Sequence, residues 1–165
     1  VPIVLIGPPA SGKSRVGRRV AKLLGKTFID TDALIVQRHG PIPEIFAQHG
    51  EAHFRRLERD AVVEALAQDA VVSFGGGAVL DPETQRDLAS ARVVMLDVTR
   101  EAVEARLDAG RPLVKDLEGW AALVEARRPL YERLADVRID TSRTPMTRVA
   151  DDIVAWVHRT RELTE

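Results

Sequence analysis

An apolar run, Ile3-Val4-Leu5-Ile6, passes directly into Gly7-Pro8-Pro9-Ala10-Ser11-Gly12-Lys13-Ser14 and then into a helical periodicity from Arg15 to Leu24. Strand, glycine loop and helix in that order match the phosphate-binding pattern Gly-x-x-x-x-Gly-Lys-Ser/Thr. Backbone N–H groups of such a loop and of the helix's first turn point at an anion, and the helix dipole favours negative charge there, so Gly7, Pro9, Ala10, Ser11 and Gly12 are candidates to surround the nucleotide's phosphates. Lys13 is placed to reach the β- and γ-phosphates, and the Ser14 hydroxyl to ligate Mg²⁺. A plain glycine turn explains the same spacing less economically, because it has no use for the lysine and hydroxyl at its end. The stretch predicts a nucleoside triphosphate site.

Apolar runs alternate with helical periodicities along the rest of the chain, which predicts an α/β fold: a parallel sheet sandwiched by helices. The strand candidates are Ile3–Ile6, Thr27–Ile29, Ala70–Phe74, Val93–Asp97 and Asp136–Ile139. The helix candidates are Lys13–Leu24, Asp32–His39, Pro43–Gln48, Glu51–Gln68, Pro82–Ala89, Arg100–Leu107, Gly119–Leu134 and Thr147–Thr160. In the last of these Val149, Ile153, Trp156 and Val157 share one face, as a core-docked helix requires. At 165 residues with 45% hydrophobic content, the expectation is one domain spanning 1–165 with a core of its own. Asp108–Gly119, rich in Gly, Pro and charge between two helices, reads as a short mobile lid.

Composition narrows the partners. A formal net charge of -1 with arginines scattered among acids argues against a nucleic-acid binder. The absence of cysteine excludes disulfides and thiolate metal sites. The first apolar run is too short for a signal sequence and no other approaches a membrane span, so no membrane partner is expected and the cytoplasm is the expected location. His39, His49, His53 and His158 have no metal-ligand spacing and read as solvated.

Ligands of an open α/β sheet sit beyond the carboxyl ends of its strands, so the residues there are the next candidates. Strand two exits into Asp30-Thr31-Asp32, strand three into Gly75-Gly76-Gly77, and strand five into Asp140-Thr141-Ser142-Arg143-Thr144-Pro145. One of Asp30 and Asp32 can hold Mg²⁺ through water while the other accepts a proton from a substrate hydroxyl, although either Asp30 or Thr31 also suits a helix N-cap. In Glu51–Gln68 the apolar face holds Phe54, Leu57, Ala61, Val62 and Ala65, and Glu58 falls near its middle. A carboxylate there needs a partner, and Arg55, three residues back, can supply it. An arginine held this way can grip an acid through its planar fork, and a structural salt bridge is the plainer reading. Arg56, Arg59 and Glu64 read as a solvated face. The three glycines permit either close ligand approach or a tight turn, and their place on the ligand edge favours contact. Arg111-Pro112 in the lid can close a cation over a γ-phosphate, and Arg127 is a second candidate for an anionic substrate.

Together these pieces resemble the shikimate kinase family over essentially the whole chain. The matching residues are Gly7–Ser14, Asp30-Thr31-Asp32, Ile45-Phe46, Gly50-Glu51 with Phe54-Arg55 and Glu58, and Gly75-Gly76-Gly77. Arg111-Pro112-Leu113, Arg127-x-Pro129-Leu130-Tyr131 and Asp140-Thr141 with Pro145 complete the set. The resemblance implies a P-loop kinase of the nucleoside-monophosphate-kinase type, with a substrate-binding helical region over about 31–62 and a lid over about 108–119. It implies Mg²⁺-assisted transfer of the γ-phosphoryl group of ATP to the 3-hydroxyl of shikimate, a step of aromatic amino acid biosynthesis, by a monomer. By position, Asp32 matches the carboxylate that binds the shikimate hydroxyls and acts as base. Arg55 and Arg127 match the clamp on the acid, with Glu58 holding Arg55. Gly75, Gly76 and Gly77 would line the ring's site, walled by Phe46 and Phe54. Lys13 and Arg111 would bracket the γ-phosphate, Ser14 and Asp30 the metal, and Arg106 with Arg143 and Pro145 the adenine.

Three departures stand out. Ala10 replaces a usual glycine, an exchange without cost only at negative φ. The lid sequence Val114-Lys115-Asp116-Leu117 is short, and the adenine loop lacks a residue. The same features also fit a kinase of this fold acting on gluconate or a nucleoside monophosphate. A non-catalytic nucleotide-binding module is less consistent with an intact Lys13, Asp32 and Arg111.

Overall fold

The computed structural model describes residues 1–108 and 116–162. Arg111 and most of the expected lid lie outside the described residues.

Five strands, β1 (Ile3–Ile6), β2 (Thr27–Asp30), β3 (Ala70–Ser73), β4 (Arg92–Asp97) and β5 (Val137–Asp140), form one sheet in the order β2-β3-β1-β4-β5. All four pairings are parallel, with Leu5 beside both Ser73 and Val94. The helices are α1 (Lys13–Leu24), α2 (Thr31–His39), α3 (Ile42–Leu66), α4 (Pro82–Asp87), α5 (Arg100–Asp108), α6 (Leu117–Leu134) and α7 (Met146–Glu162). The five-stranded parallel sheet flanked by helices expected from the sequence is therefore observed.

Period-two alternation in β1 divides the core. Ile3 and Leu5 pack with Val16, Val20, Val149 and Ile153, joining the sheet to α1 and α7. Val4 and Ile6 face the other way, into Val62, Val72, Phe74, Met95 and Tyr131 beneath α3 and α6. Each side of the sheet thus buries its own set of β-branched and aromatic side chains, as a parallel sheet covered on both faces requires. Two smaller clusters stand beside the sheet. Ile35, Ile45, Phe54 and Ala61 bind α2 to α3, and Val98, Val103, Trp120 and Val124 bind α5 to α6.

Where the structure departs from the sequence expectation, local chemistry explains it. The segments expected as two helices, Pro43–Gln48 and Glu51–Gln68, form one run broken at Gly50, whose φ of 81° and ψ of 173° are non-helical and open to glycine without strain. The helix expected over Pro82–Ala89 ends at Asp87 and tightens into a 3₁₀ turn over Leu88–Ser90. Arg56 and Glu64 are exposed, as expected, but Arg59 is not a solvated side chain. Arg59 is 19% exposed, donates to Thr84 Oγ1 at 2.8 Å and pairs with Asp87 at 2.6 Å, tying α3 to α4. Glu64 pairs with Arg38 and ties α3 to α2. A surface stripe on one helix says nothing about the helices that later fold against it.

Candidate active site

The sheet order places β1 between β3 and β4, so the chain reverses its direction of winding at the carboxyl end of β1. That switch point is where an open α/β sheet leaves a crevice. A cavity of about 700 Å³ opens there, lined by loop residues Pro9, Ala10, Gly12, Lys13 and Ser14 and by Asp30, Asp32, Ser73, Gly75, Gly76 and Arg106.

The loop is built as an anion receptor. Gly12 is the N-cap of α1, and no side chain caps the helix among the described residues, so its first N–H groups are open to a ligand. Lys13 folds back so that its Nζ donates to the carbonyls of Gly7 and Pro8, each at 2.9 Å. Burial lowers the Lys13 pKa to about 8, against the pull of Asp32 and Asp30 in the other direction. Ala10 takes a φ of 67°, so the negative φ that would have made the exchange for glycine free is not adopted. An L-residue in this region carries a strain of roughly 1–2 kcal/mol. Ser11 is fully buried, and its Oγ has no hydrogen-bond partner among the described residues.

Outward-facing carbonyls of the loop are each held from elsewhere in the chain. Trp120 Nε1 donates to Pro9 O at 2.8 Å, Arg106 Nη1 to Ala10 O at 2.5 Å and Thr141 Oγ1 to Ser11 O at 2.9 Å. Arg106 also donates to Thr141 O at 3.0 Å, linking two of these anchors.

Asp30, not Thr31, is the N-cap of α2, and it also faces the phosphate loop. Its Oδ1 caps α2 by accepting from Ala33 N at 3.1 Å, while Oδ2 accepts from the Ser14 hydroxyl. Ser73 Oγ lies 3.3 Å from Ser14 Oγ. Hydroxyl and carboxylate oxygens gathered at the loop are the hard donors Mg²⁺ prefers, so the residues present fit that ion. Thr31, fully buried, accepts from Gly75 N at 3.1 Å and fastens the glycine stretch to the start of α2.

The three glycines form a wall flush with the charged groups. A Cβ on Gly75 would overlap the Asp32 carboxylate, and one on Gly77 would overlap the Arg55 guanidinium. On Gly76 it would stand 3.4 Å from Arg127 Nη1 and 3.5 Å from the Pro9 ring. At Gly75 and Gly77 the close approach of charged side chains leaves no room for a Cβ, whereas at Gly76 it would make ordinary contacts. Tyr131 supports the wall by donating to Gly76 O at 2.7 Å.

Arg55 donates to Glu58 Oε1 at 2.8 Å, the pair expected from the spacing, and reaches Glu51 at 3.5 Å. Glu58 is 4% exposed, and burial pushes its pKa up despite Arg55. Phe54 is buried and Phe46 exposed, with ring centroids 4.8 Å apart, and the Arg55 guanidinium stands 5.4 Å from the Phe54 ring centre. Asp32 also has a raised pKa, first because it is buried and second because Asp30 is near, with Lys13 and Arg55 pulling it down. The crevice therefore holds a carboxylate of increased basicity beside the phosphate loop.

Of the residues singled out in the sequence, Pro9, Ala10, Gly12, Lys13, Ser14, Asp30, Asp32, Gly75, Gly76 and Arg106 line this cavity, whereas Arg55 and Glu58 line a separate one of about 300 Å³. Arg143 lines a further cavity, of about 600 Å³, with Thr99, Glu101, Asp140 and Thr144, and Pro145 is exposed. Met146, one residue on, lines the main cavity beside Arg15 and Arg18 and packs against Gly12. Sequence reasoning did not single out Met146, Ser73 or Trp120. A methionine at a helix start and a tryptophan inside an amphipathic helix both read as core, and neither carries a motif. His39, His49 and His158 are exposed, and no group of three metal-binding side chains occurs among the described residues. No helix among them is long and apolar enough to cross a membrane.

Comparison with known proteins places this geometry. A family model described as shikimate kinase matches residues 9–158. The shikimate kinase of Mycobacterium avium is 48% identical over 149 residues, covering 85% of this chain and 84% of that protein. The shikimate kinase of Streptomyces coelicolor is 47% identical over 161 residues, covering 92% and 94%. Among solved structures, shikimate kinase from Acinetobacter baumannii in complex with shikimate superposes with a TM-score of 0.86 at 32% identity, covering 96% of this chain and 93% of that one. A kinase built on a phosphate loop at the switch point of a five-stranded parallel sheet, the chain belongs to the shikimate kinase family.

Proposed function

We propose that the protein transfers the γ-phosphoryl group of ATP to the 3-hydroxyl of shikimate, giving shikimate 3-phosphate and ADP. The observation that carries this reading is the glycine wall, along which Asp32, Arg127 and Arg55 stand against three successive residues, Gly75, Gly76 and Gly77. Two guanidinium groups suit a carboxylate on the acceptor, and the neighbouring carboxylate suits its hydroxyl.

In this reading Arg55 and Arg127 hold the acid, with Glu58 fixing Arg55, and Phe46 and Phe54 flank the ring. Asp32 accepts the hydroxyl proton as the oxygen forms its bond to the γ-phosphorus and the bond from phosphorus to the ADP oxygen breaks. The raised pKa of Asp32 makes it a stronger proton acceptor than an ordinary carboxylate. Lys13 exchanges its two loop carbonyls for phosphate oxygens and, with Arg111, bears the charge that spreads over the transferred group. Ser14 and Asp30 would hold Mg²⁺, which when bound would neutralise phosphate charge. Arg106 lies against the nucleotide, with Arg143 and Pro145 at the outer edge of the adenine site. A single domain over 1–165, with the helical region 31–62 for the acid and a lid over 108–119, works as a cytoplasmic monomer.

The test is ADP release with shikimate, gluconate and nucleoside monophosphates as acceptors, on the native chain and on Asp32→Asn. Turnover is expected with shikimate alone. Asp32→Asn is expected to keep ADP binding and lose about two orders of magnitude in turnover. Turnover with gluconate or a nucleotide instead would transfer the site to another kinase of this fold. ADP binding without turnover on any acceptor would leave a nucleotide-binding module.

A further inference from the structure

A phosphate loop works only if its peptide groups turn N–H inward, and each such turn sends a carbonyl outward. Ala10 is where this costs most. It is the one non-glycine residue with positive φ among the described residues, and the peptide planes on either side of it set where the loop's N–H groups point. Both planes are pinned by side chains of other elements: the Pro9 carbonyl by Trp120 from the first turn of α6, the Ala10 carbonyl by Arg106 from α5. The Ala10 side chain packs into the cluster that Trp120 forms with Val98, Val103 and Val124.

Arg106 lines the main cavity and can touch the nucleotide itself. Trp120 is 6% exposed and is absent from the lining of that cavity, so it reaches the ligand only through the loop. Its indole is donor only, and Pro9 O is its acceptor.

We propose that Trp120 is a positioning residue for nucleotide binding: its N–H holds the Pro9–Ala10 peptide in the anion-facing orientation and so offsets the strain of Ala10. The inference rests on the nucleotide reading of the loop and is independent of which acid is phosphorylated. It separates two roles that a buried tryptophan can have. Ring packing stabilises the whole fold, whereas the single hydrogen bond acts on the phosphate loop alone.

Trp120→Phe removes the donor and keeps most of the ring. ADP titration, with the KM for ATP and the KM for shikimate measured in parallel, gives the readout. Native chain that fails to bind ADP would refute the nucleotide reading itself, before any variant is compared. Given binding, Trp120→Phe is expected to weaken ADP and raise the KM for ATP by about fivefold, as loss of one buried hydrogen bond does, with the KM for shikimate moving less than about twofold. Ala10→Gly in the Trp120→Phe background is expected to restore the ADP affinity to within about twofold of native, because glycine holds the same φ without strain. Unchanged ADP affinity in Trp120→Phe overturns the proposal, as does an equal rise in both KM values. Failure of Ala10→Gly to rescue would assign Trp120 to packing alone. If Trp120→Phe does not fold, the double variant with the strain removed must fold and bind ADP; its failure is also a refutation.

Discussion

At the scale of single residues, the site is organised by groups whose protonation is displaced from its ordinary range, and Lys13 is the clearest. Its pKa of about 8 reflects burial that the nearby Asp32 and Asp30 only partly offset. Polyphosphate brings further negative charge to the ammonium, so binding must draw its pKa back up. The free enzyme should therefore take up a proton when it binds ADP at pH 8, and affinity should weaken above that pH by up to about tenfold per unit. Stability of the unliganded fold has the opposite slope. Between about 8 and 10.5 the unfolded lysine is protonated and the folded one is not, so rising pH favours the fold over that window. Calorimetric titration of ADP in buffers of different ionisation enthalpy, beside thermal unfolding of the free chain and of Lys13→Met, checks both slopes. Affinity flat to pH 9 would mean that the lysine is charged throughout and that its burial has little effect. Lys13 itself was legible because its spacing from Gly7 and Gly12 forms a motif. Its displaced pKa was not, because burial by the folded loop has no counterpart in the linear chain. The sign of the Ala10 torsion was hidden for the same reason.

At the scale of elements, α3 and α6 each present one arginine to a wall contributed by the segment after β3. The Glu58–Arg55 pair could be read from spacing, since a carboxylate in the middle of an apolar helix face requires a partner within a turn. That Gly75, Gly76 and Gly77 each abut a different charged group could not be read, because it depends on β3 lying between β1 and β2 and on the rotation of α6. The Arg59 contacts to α4 were misjudged for a like reason: Thr84 and Asp87 are far along the chain. A planar fork meets a carboxylate through two parallel bonds, and an ammonium cannot. Arg55→Lys and Arg127→Lys are each expected to weaken shikimate affinity about tenfold or more, with ADP affinity held within about twofold. Paired titrations of the two ligands decide it. Equal weakening of both would show that these arginines serve the loop or the fold rather than the acid.

At the scale of the whole molecule, the five strands and the flanking helices were readable from alternating apolar runs, while the order in which the strands assemble was not. That order brings Asp97 at the end of β4 between α6 and β5, a contact the sequence did not disclose because Asp97 ends an ordinary apolar strand. The carboxylate is 4% exposed and accepts from Val98 N at 2.9 Å, from Arg128 Nη1 at 2.6 Å and from Arg138. The Asp97 carbonyl also accepts from Thr141 N at 2.8 Å, and the Thr141 hydroxyl, 3.1 Å from that carbonyl, donates its one proton at the shorter distance to Ser11 O of the loop. One residue thereby joins the central sheet to its edge strand, to the helix that carries Arg127, and to the phosphate loop. Removing one partner of a buried ion pair costs about 3–5 kcal/mol when both partners are buried. Arg128 is 25% and Arg138 52% exposed, so water recovers part of that loss. Asp97→Asn keeps the shape and removes the charge, and is expected to lower stability by about 2 kcal/mol. In urea unfolding this should appear as a lower midpoint with an unchanged slope. The KM for shikimate should rise as well, because Arg128 no longer holds the turn of α6 from which Arg127 projects. A loss of stability with an unchanged KM would confine Asp97 to the scaffold, and no loss of stability would show that solvent replaces the pair in full.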